Sequence, residues 1–209
     1  EIARMPASEI WGKHWKEIIL FALAMQAAWV GTTNVGSTYV PAYLRLIGIP
    51  ESTILFMTTL NMTVLFFAVI AFAFLSDYYG RRKLVIISAA LGIPLFLLLI
   101  YALYIKNITW IIITEALYLA LGWHTETMSM IMIPEYFTTK YRASGGQAYQ
   151  LTGLIDGSLL AFGFPAMYVA YHGVVNALPG FAIFGGVIWL VIALIAMYFL
   201  PETLGRKVE

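Results

Sequence analysis

Residues 84–104 read LVIISAALGIPLFLLLIYALY, a run that contains no charged side chain. It follows three consecutive bases, Arg81, Arg82 and Lys83, and ends shortly before Lys106. A helix rises about 1.5 Å per residue, so a hydrocarbon core about 30 Å thick requires roughly 20 apolar residues. The stretch therefore predicts a membrane-spanning helix, which we place at residues 83–105.

Five further segments on either side of this stretch meet the same requirement. The predicted spans are residues 17–45, 52–76, 83–105, 109–133, 146–171 and 178–200. Short connections that carry glycine, proline or charged residues, such as Gly48, Pro50 and Glu51, separate them. The sequence therefore predicts an all-α polytopic membrane protein with six transmembrane helices. Its predicted parts are a cytoplasmic or interfacial segment at 1–16, a bundle at 17–200 and a cytoplasmic tail at 201–209.

The composition supports a membrane protein and excludes several other classes. Hydrophobic residues make up 61% of the chain and charged residues 11%, against roughly 45–50% and 25% in soluble domains. The 12 bases nearly balance the 11 acids, so no nucleic-acid partner is predicted. The chain has no cysteine, no nucleotide-binding loop, no metal-ligand cluster and no nucleophile with an evident base. We therefore expect no enzymatic activity, no cofactor and no metal.

The distribution of basic residues predicts the orientation of the chain. Six spans place both termini on one side, together with the second and fourth connections. Of the 12 Lys and Arg residues, only Arg45 and Lys106 fall on the other side. The positive-inside rule then predicts cytoplasmic termini, in a plasma-membrane protein. Before the first span, Ile10, Trp11, His14, Trp15 and Ile18 recur at helical spacing. This pattern fits an interfacial amphipathic helix or a loop that runs into the first span.

The charged connection after the second predicted span contains the first of three motifs. It runs from Ala73 to Lys83 and reads AFLSDYYGRRK. The segment resembles the G-x-x-x-D-R-x-G-R-R signature of the major facilitator superfamily, which occurs after the second and eighth of twelve spans. Ala73 replaces the first glycine and Tyr78 the usual base, while the D-x-x-G-R-R core is intact.

Two further segments resemble loops of the same superfamily. Residues 134–142, PEYFTTKYR, resemble the P-E-x-F-P-T-x-x-R loop of sugar porters and metabolite:proton symporters, with Thr138 in place of proline. Residues 201–206, PETLGR, resemble the P-E-T-x-G tail that follows the twelfth span of sugar porters. The corresponding tail of the N-terminal half usually reads P-E-S-P-R. Residues 38–44 are similar to the end of a seventh span. The ordered set identifies this chain as similar to the C-terminal half, spans seven to twelve.

This resemblance implies secondary active transport of a small organic solute by alternating access, together with an N-terminal six-helix half or a second copy. Sugar porters suggest a sugar, and metabolite:proton symporters suggest a carboxylate or zwitterion. The resemblance to the symporters also implies proton coupling. A non-transporting accessory subunit of a larger membrane complex is the alternative. The resemblance also implies a charge latch at the cytoplasmic face, where Arg and carboxylates pair. Its predicted members are Asp77, Arg81, Arg82, Glu135, Arg142 and Glu202.

Ionisable residues within the predicted spans are candidates for proton coupling. Each costs about 2.5–3.5 kcal/mol near the bilayer centre on insertion scales, so it is a functional candidate by default. Glu126 and Asp156 both fall about ten residues from the cytoplasmic ends of their spans and share one depth. Glu115 lies nearer the external end, on the face of Glu126, whereas His124 points almost oppositely. The predicted coupling residues are Asp156, Glu126, His124 and Glu115.

Uncharged polar and aromatic residues form stripes on several predicted spans. Such stripes favour a water-accessible cavity, although hydrogen bonding between helices explains them as well. The candidates for the substrate cavity are Gln26, Trp29, Thr33, Asn34, Asn61, Trp123, Tyr149 and Thr152. Gln26, Trp29 and Trp123 suit a sugar. No Lys or Arg lies deep in these spans, so a base for an anionic solute would come from another half.

Overall fold

A computed structural model describes residues 7–205, except for the side chains of residues 7, 8, 32 and 33. All its regular elements are helical in this part of the chain, and they form six long spans. The first comprises α1 (Ala7–Ala28), a π-helical segment (Trp29–Tyr39) and α2 (Val40–Leu46). The second, third and fourth are α3 (Glu51–Tyr79), α4 (Arg81–Tyr104) and α5 (Ile108–Tyr136).

The fifth and sixth spans are interrupted by short segments of other helix types. The fifth comprises α6 (Arg142–Gly145), α7 (Gln147–Ser158), a π-helical segment (Leu159–Gly163) and α8 (Phe164–Ala170). The sixth comprises a 3-10 turn (Val175–Ala177), α9 (Leu178–Gly180), a π-helical segment (Phe181–Val187) and α10 (Ile188–Phe199). The all-α fold predicted from the sequence is confirmed.

Five of the six spans are long and apolar enough to cross a membrane. The fourth span, α5, has 29 residues but carries Glu115, His124 and Glu126, which reduce its apolar character. It packs against the first, second and third spans, and all three of these polar side chains are buried. Protein contacts therefore shield the polar side chains of this span from lipid.

Local sequence signals explain where several helices begin and end. Gly80 separates α3 from α4 and has a φ of 95°, a left-handed conformation that glycine adopts without steric cost. Asn107 precedes α5, and its side chain accepts a hydrogen bond from the backbone N–H of Trp110 at 3.1 Å. One glycine and one capping side chain thus fix the ends of three spans.

Four spans form a closed ring. The first contacts the fourth and sixth, and the third also contacts the fourth and sixth. The second span lies outside this ring, mainly on the fourth, and the fifth lies outside it on the first. If the first, second and third spans are exchanged with the fourth, fifth and sixth, respectively, the same set of contacts results. The bundle therefore has the arrangement of two three-helix repeats.

The segment before the first predicted span is helical and docked. α1 begins at Ala7 and kinks at His14, whose φ and ψ are −128° and 21°. Ile10 is buried, the Trp11 indole donates to the Gln147 side chain, and Glu9 accepts a hydrogen bond from the Tyr141 hydroxyl at 3.1 Å. This segment therefore rests on the start of the fifth span. Arg4, Arg206 and Lys207, which contributed to the predicted orientation, lie outside the described residues.

Candidate functional site

A buried carboxylate–amide contact joins the first and fifth spans. The side-chain nitrogen of Asn34 donates a hydrogen bond to Oδ1 of Asp156 at 2.6 Å. Each residue is 2% exposed. Asn34 belongs to the π-helical segment of the first span, and Asp156 belongs to α7. The contact brings together one predicted coupling residue and one predicted cavity residue.

A second carboxyl group from the fourth span lies beside this contact. Glu126 is buried, and both Asp156 and Trp29 are close enough to interact with its carboxyl group. The ring of Trp29 in turn meets the ring of Tyr149, with centroids 5.5 Å apart. We call Trp29, Asn34, Glu126, Tyr149 and Asp156 the polar cluster. Three spans contribute to it, and Trp29 and Tyr149 at its rim are half-buried.

The polar cluster contains two acids and no base. Two neighbouring carboxylates repel each other in a low-dielectric setting unless one of them binds a proton or a cation. Asn34 supplies one neutral donor, and the aromatic rings of Trp29 and Tyr149 supply flat apolar surface. Such a set can hold a proton, donate to and accept from hydroxyl groups, and stack against a ring.

The first span approaches the fourth very closely beside the polar cluster. A Cβ built on Gly31 would lie 1.7 Å from the hydroxyl oxygen of Tyr118, and one on Gly36 would lie 2.8 Å from Leu119. Both glycines belong to the π-helical segment that carries Asn34. π-Helical segments occur frequently at functional sites. The sequence did not predict this segment.

A second acid–amide pair joins the second and fourth spans. Asn61 and Glu115 are hydrogen-bonded through their side chains, and each is 2% exposed. Glu115 lies eleven residues before Glu126 on α5, a rise of about 16 Å. It is therefore well separated from Glu126 along the helix. Under the exchange of spans one to three with four to six, it corresponds to the Asn34–Asp156 pair.

At the end of the bundle where both ends of the described chain lie, a charge network links four segments. Arg81 pairs with Glu135 at 2.8 Å and with Asp77 at 3.4 Å. Glu135 also accepts a hydrogen bond from the Thr203 hydroxyl at 2.8 Å. This network connects α3, α4, α5 and the segment after α10. Thr203 was missed by sequence reasoning, because its partner is 68 residues away.

Glu202 caps the beginning of α4. Its Oε1 accepts backbone N–H groups from Arg81 at 3.0 Å and Arg82 at 3.4 Å, as well as from Thr203 and Leu204. Burial acts to raise the pKa of Glu202, but these backbone hydrogen bonds outweigh it and leave the pKa below its ordinary value. Arg82 reciprocates by donating to the carbonyls of Met197 and Tyr198 at the end of α10. The acidic Glu202 therefore lies at the beginning of α4, and the basic Arg82 lies at the end of α10. Both charges are favourable to the helix dipole.

A comparison with known protein families identifies the family to which this chain belongs. Residues 3–209 match the sequence model of the sugar (and other) transporter family. The chain belongs to the sugar (and other) transporter family. No curated protein and no solved structure matches it.

Membership of the sugar (and other) transporter family confirms the relationship that the three loop motifs predicted. Together with the apolar spans, it identifies a multi-pass membrane protein of a transporter family. The motif residues of this transporter-family chain lie together at one end of the bundle. Of the six predicted latch residues, five are joined there by direct contacts. Arg142 is exposed and has no ion-pair partner among the described residues.

Three other predicted residues, Thr152, Gln26 and His124, form no hydrogen bond with the polar cluster in the described part of the chain. The Thr152 hydroxyl donates to the carbonyls of Ala22 and Ala148, so it joins helices. Gln26 is fully buried, and Trp123 is half-buried. His124 is fully buried with its ring centroid 3.5 Å from that of Phe72 on the second span. The side chain of Thr33 lies outside the described residues.

Proposed function

We propose that this chain is the C-terminal half of a transporter that moves a small organic solute by proton-coupled alternating access across the plasma membrane. The observation that carries the proposal is the polar cluster, in which two carboxyl groups and one amide meet within a membrane-spanning bundle. Such groups are costly in lipid, so their presence favours contact with solute, water or protons. The loop motifs suggest two classes of solute. One is a sugar, and the other is a carboxylate or zwitterionic metabolite.

Within that range, the polar cluster favours a sugar. Two acids without a base repel an anion, whereas hydroxyl groups of a sugar both donate to Glu126 and Asp156 and accept from Asn34. Trp29 offers a flat apolar surface for a sugar ring at the half-buried rim. A carboxylate solute would require a base from outside this bundle.

The uneven burial of the spans supports a second six-helix half as partner. Only 11% of the apolar window of the fifth span and 22% of that of the second are buried, against 75% for the first. The fifth span carries Asp156, so a bundle that covers it would complete a cavity around the polar cluster. Alternating access then requires this bundle and its partner to rock about the cluster.

Proton coupling is assigned to the acids of the polar cluster. Asp156 holds one amide donor and faces a second carboxyl group, so binding a proton relieves the repulsion between the two acids. Binding of a solute at the cluster would favour the switch between the outward-facing and inward-facing states. The bound proton would then be released on the opposite side of the membrane. Glu115 and His124, which lie elsewhere, are assigned no part in coupling.

The charge network is proposed to act as the latch at the cytoplasmic end, with both termini on that side. The excess of basic residues at this end supports the orientation. Arg142, which is exposed and unpaired within the described residues, is available to a carboxylate of the second half. Closure on that side would then combine contacts within this bundle and contacts across the two halves.

The test replaces Asp156 by asparagine in the full-length protein reconstituted in liposomes. Accumulation of solute against a gradient, driven by an imposed pH difference, should disappear, while exchange of labelled for unlabelled solute continues. Glu51→Gln, at an exposed ion pair in the first connection, is the matched control and should accumulate normally. Unaltered accumulation by Asp156→Asn would remove Asp156 from the coupling role.

A further inference from the structure

A cavity of about 420 Å³ lies at the membrane boundary, away from the polar cluster. It is formed where the beginning of the first span meets the end of the sixth, next to Tyr136 at the end of the fourth. Its lower wall is apolar and includes Ile19, Leu20 and Phe199. Phe199 is 65% exposed, so this wall is continuous with the outer surface of the bundle. The bilayer therefore has direct access to the cavity.

The mouth of the cavity carries one base and one acid that are adjacent in the sequence. Lys16 has no ion-pair partner among the described residues, and its ammonium lies 5.7 Å from the ring centroid of Trp15. Glu17 accepts a hydrogen bond from the Tyr136 hydroxyl at 3.3 Å and lies 4.0 Å from His14. The Glu17 carboxylate has further lone pairs to offer. Trp15 and Tyr136 are residue types enriched at the membrane–water interface.

We infer that this cavity binds one glycerophospholipid with an ethanolamine headgroup, from the leaflet at this end of the bundle. The lipid phosphate binds Lys16, the primary ammonium of the headgroup binds Glu17, and one acyl chain lies along Ile19, Leu20 and Phe199. Charge complementarity supports this lipid. Its headgroup carries an anionic phosphate and a cationic ammonium, and the cavity mouth carries the cationic Lys16 and the anionic Glu17. The apolar wall below accepts the chain that necessarily accompanies this headgroup.

The chemistry of the mouth discriminates among headgroups. A primary ammonium donates hydrogen bonds to the Glu17 carboxylate, whereas the quaternary ammonium of choline has no N–H to donate. A glycerol headgroup satisfies Lys16 through its phosphate but leaves Glu17 without a cation. Of the three, only an ethanolamine headgroup pairs both charges and also donates a hydrogen bond to Glu17.

The test measures lipid binding to the full-length purified protein by native mass spectrometry. Phosphatidylethanolamine, phosphatidylcholine and phosphatidylglycerol with identical acyl chains are the probes. The ethanolamine lipid should bind about tenfold more tightly than the choline lipid, which corresponds to one charge-assisted hydrogen bond. Glu17→Gln should abolish that preference, and Lys16→Gln should weaken binding of all three lipids.

Lys83→Gln is the matched control, because Lys83 is an exposed base at the same end of the bundle but does not line the cavity. It should retain the ethanolamine preference in full. Equal binding of the three headgroups by the unmodified protein would overturn the proposal. So would a preference that survives in both Lys16→Gln and Glu17→Gln.

Discussion

Single residues set the tightest packing in this bundle, and Gly186 is the clearest case. A Cβ added to Gly186 would lie 2.0 Å from Cδ1 of Phe96, a fully buried ring that connects the third and sixth spans. Because the ring is fully buried, moving it aside would disturb the side chains packed around it. Glycine at this position is therefore required by close packing between two spans.

Gly186→Ala should lower the free energy of unfolding by about 1–3 kcal/mol, the range for overpacking a core. The apparent melting temperature of the purified protein measures this loss. Gly153→Ala is the control, because nothing lies within 4 Å of a Cβ at that position. Alanine there should be neutral or slightly stabilising, since it favours a helix over glycine. Equal losses in the two variants would contradict the packing argument.

Glu202 makes stability depend on pH. Its pKa lies below the ordinary value of 4.5, so its contribution is complete above that pH and is lost as the pH falls through the lowered value. Glu202→Ala should cost about 1 kcal/mol of unfolding free energy at neutral pH, as loss of a helix cap does. The difference between variant and parent should shrink as the pH falls below 4.5 and through the lowered pKa. A difference independent of pH would show that the carboxylate charge is irrelevant.

At the residue scale, the sequence predicted the acids better than their partners. Depth and helical phase placed Glu126 and Asp156 at one level, and the structure brings them together. The same reasoning did not predict that Asn34 would bind Asp156, because that contact spans 122 residues. It listed Glu135 as a member of the charge latch without naming its partners, which are Arg81 and Thr203. Partners from distant spans depend on helix packing, which spacing along the chain does not encode.

At the scale of elements, the network around Arg81 ties α4 to α5. Arg81 and Glu135 are 14% and 29% exposed, whereas Arg45 and Glu51, in the first connection, are both 53% exposed. The two ion pairs have nearly equal lengths, 2.8 and 2.7 Å. The exposed Arg45–Glu51 pair is bidentate, whereas Arg81 contacts both Glu135 and Asp77, so the two pairs differ in geometry as well as in exposure.

Double-mutant cycles with Arg→Gln and Glu→Gln should give different coupling energies for the two pairs. We expect about 1 kcal/mol or more for Arg81–Glu135, where neighbouring groups are coupled. For Arg45–Glu51 we expect less than about 1 kcal/mol, the upper end of the range for exposed pairs in water, because this pair is bidentate but exposed to solvent. Apparent melting temperatures of the single and double variants supply the measurement. Equal coupling energies would mean that the network adds nothing beyond a surface pair.

The helices themselves follow from apolar length, but their irregular turns do not. All six predicted spans correspond to helical spans in the structure. The first begins at Ala7, ten residues before the predicted start, because its amphipathic beginning docks through Ile10 and Trp11. The π-helical segments at 29–39, 159–163 and 181–187 contain small residues that merely permit them. Their geometry depends on close contacts such as that between Gly31 and Tyr118.

At the scale of the whole molecule, the polar cluster can serve either transport or assembly. In a transporter, a second half covers the fifth span and leaves a water-accessible cavity between the halves. In an accessory subunit, a partner would pack against the same polar groups and exclude water. The two possibilities differ in whether water reaches the cluster, which depends on the complete assembly in a membrane.

The accessibility of one introduced thiol tests this difference directly. Gly153 lies about 60° around the helix from Asp156 and has open space at its Cβ position. The 209 residues contain no cysteine, so Gly153→Cys would be the one thiol in this chain. Leu91→Cys, on the exposed apolar surface of the third span, is the control. A thiol in lipid does not ionise and should not react.

The measurement is the rate at which a membrane-impermeant thiol reagent labels Gly153→Cys in the full-length protein in liposomes. If the polar cluster lines a transport cavity, the thiol reacts much faster than Leu91→Cys, and a transported sugar slows the reaction. If Gly153→Cys is as unreactive as Leu91→Cys from both sides of the membrane, with or without solute, water does not reach the cluster. That result would contradict transport through this site.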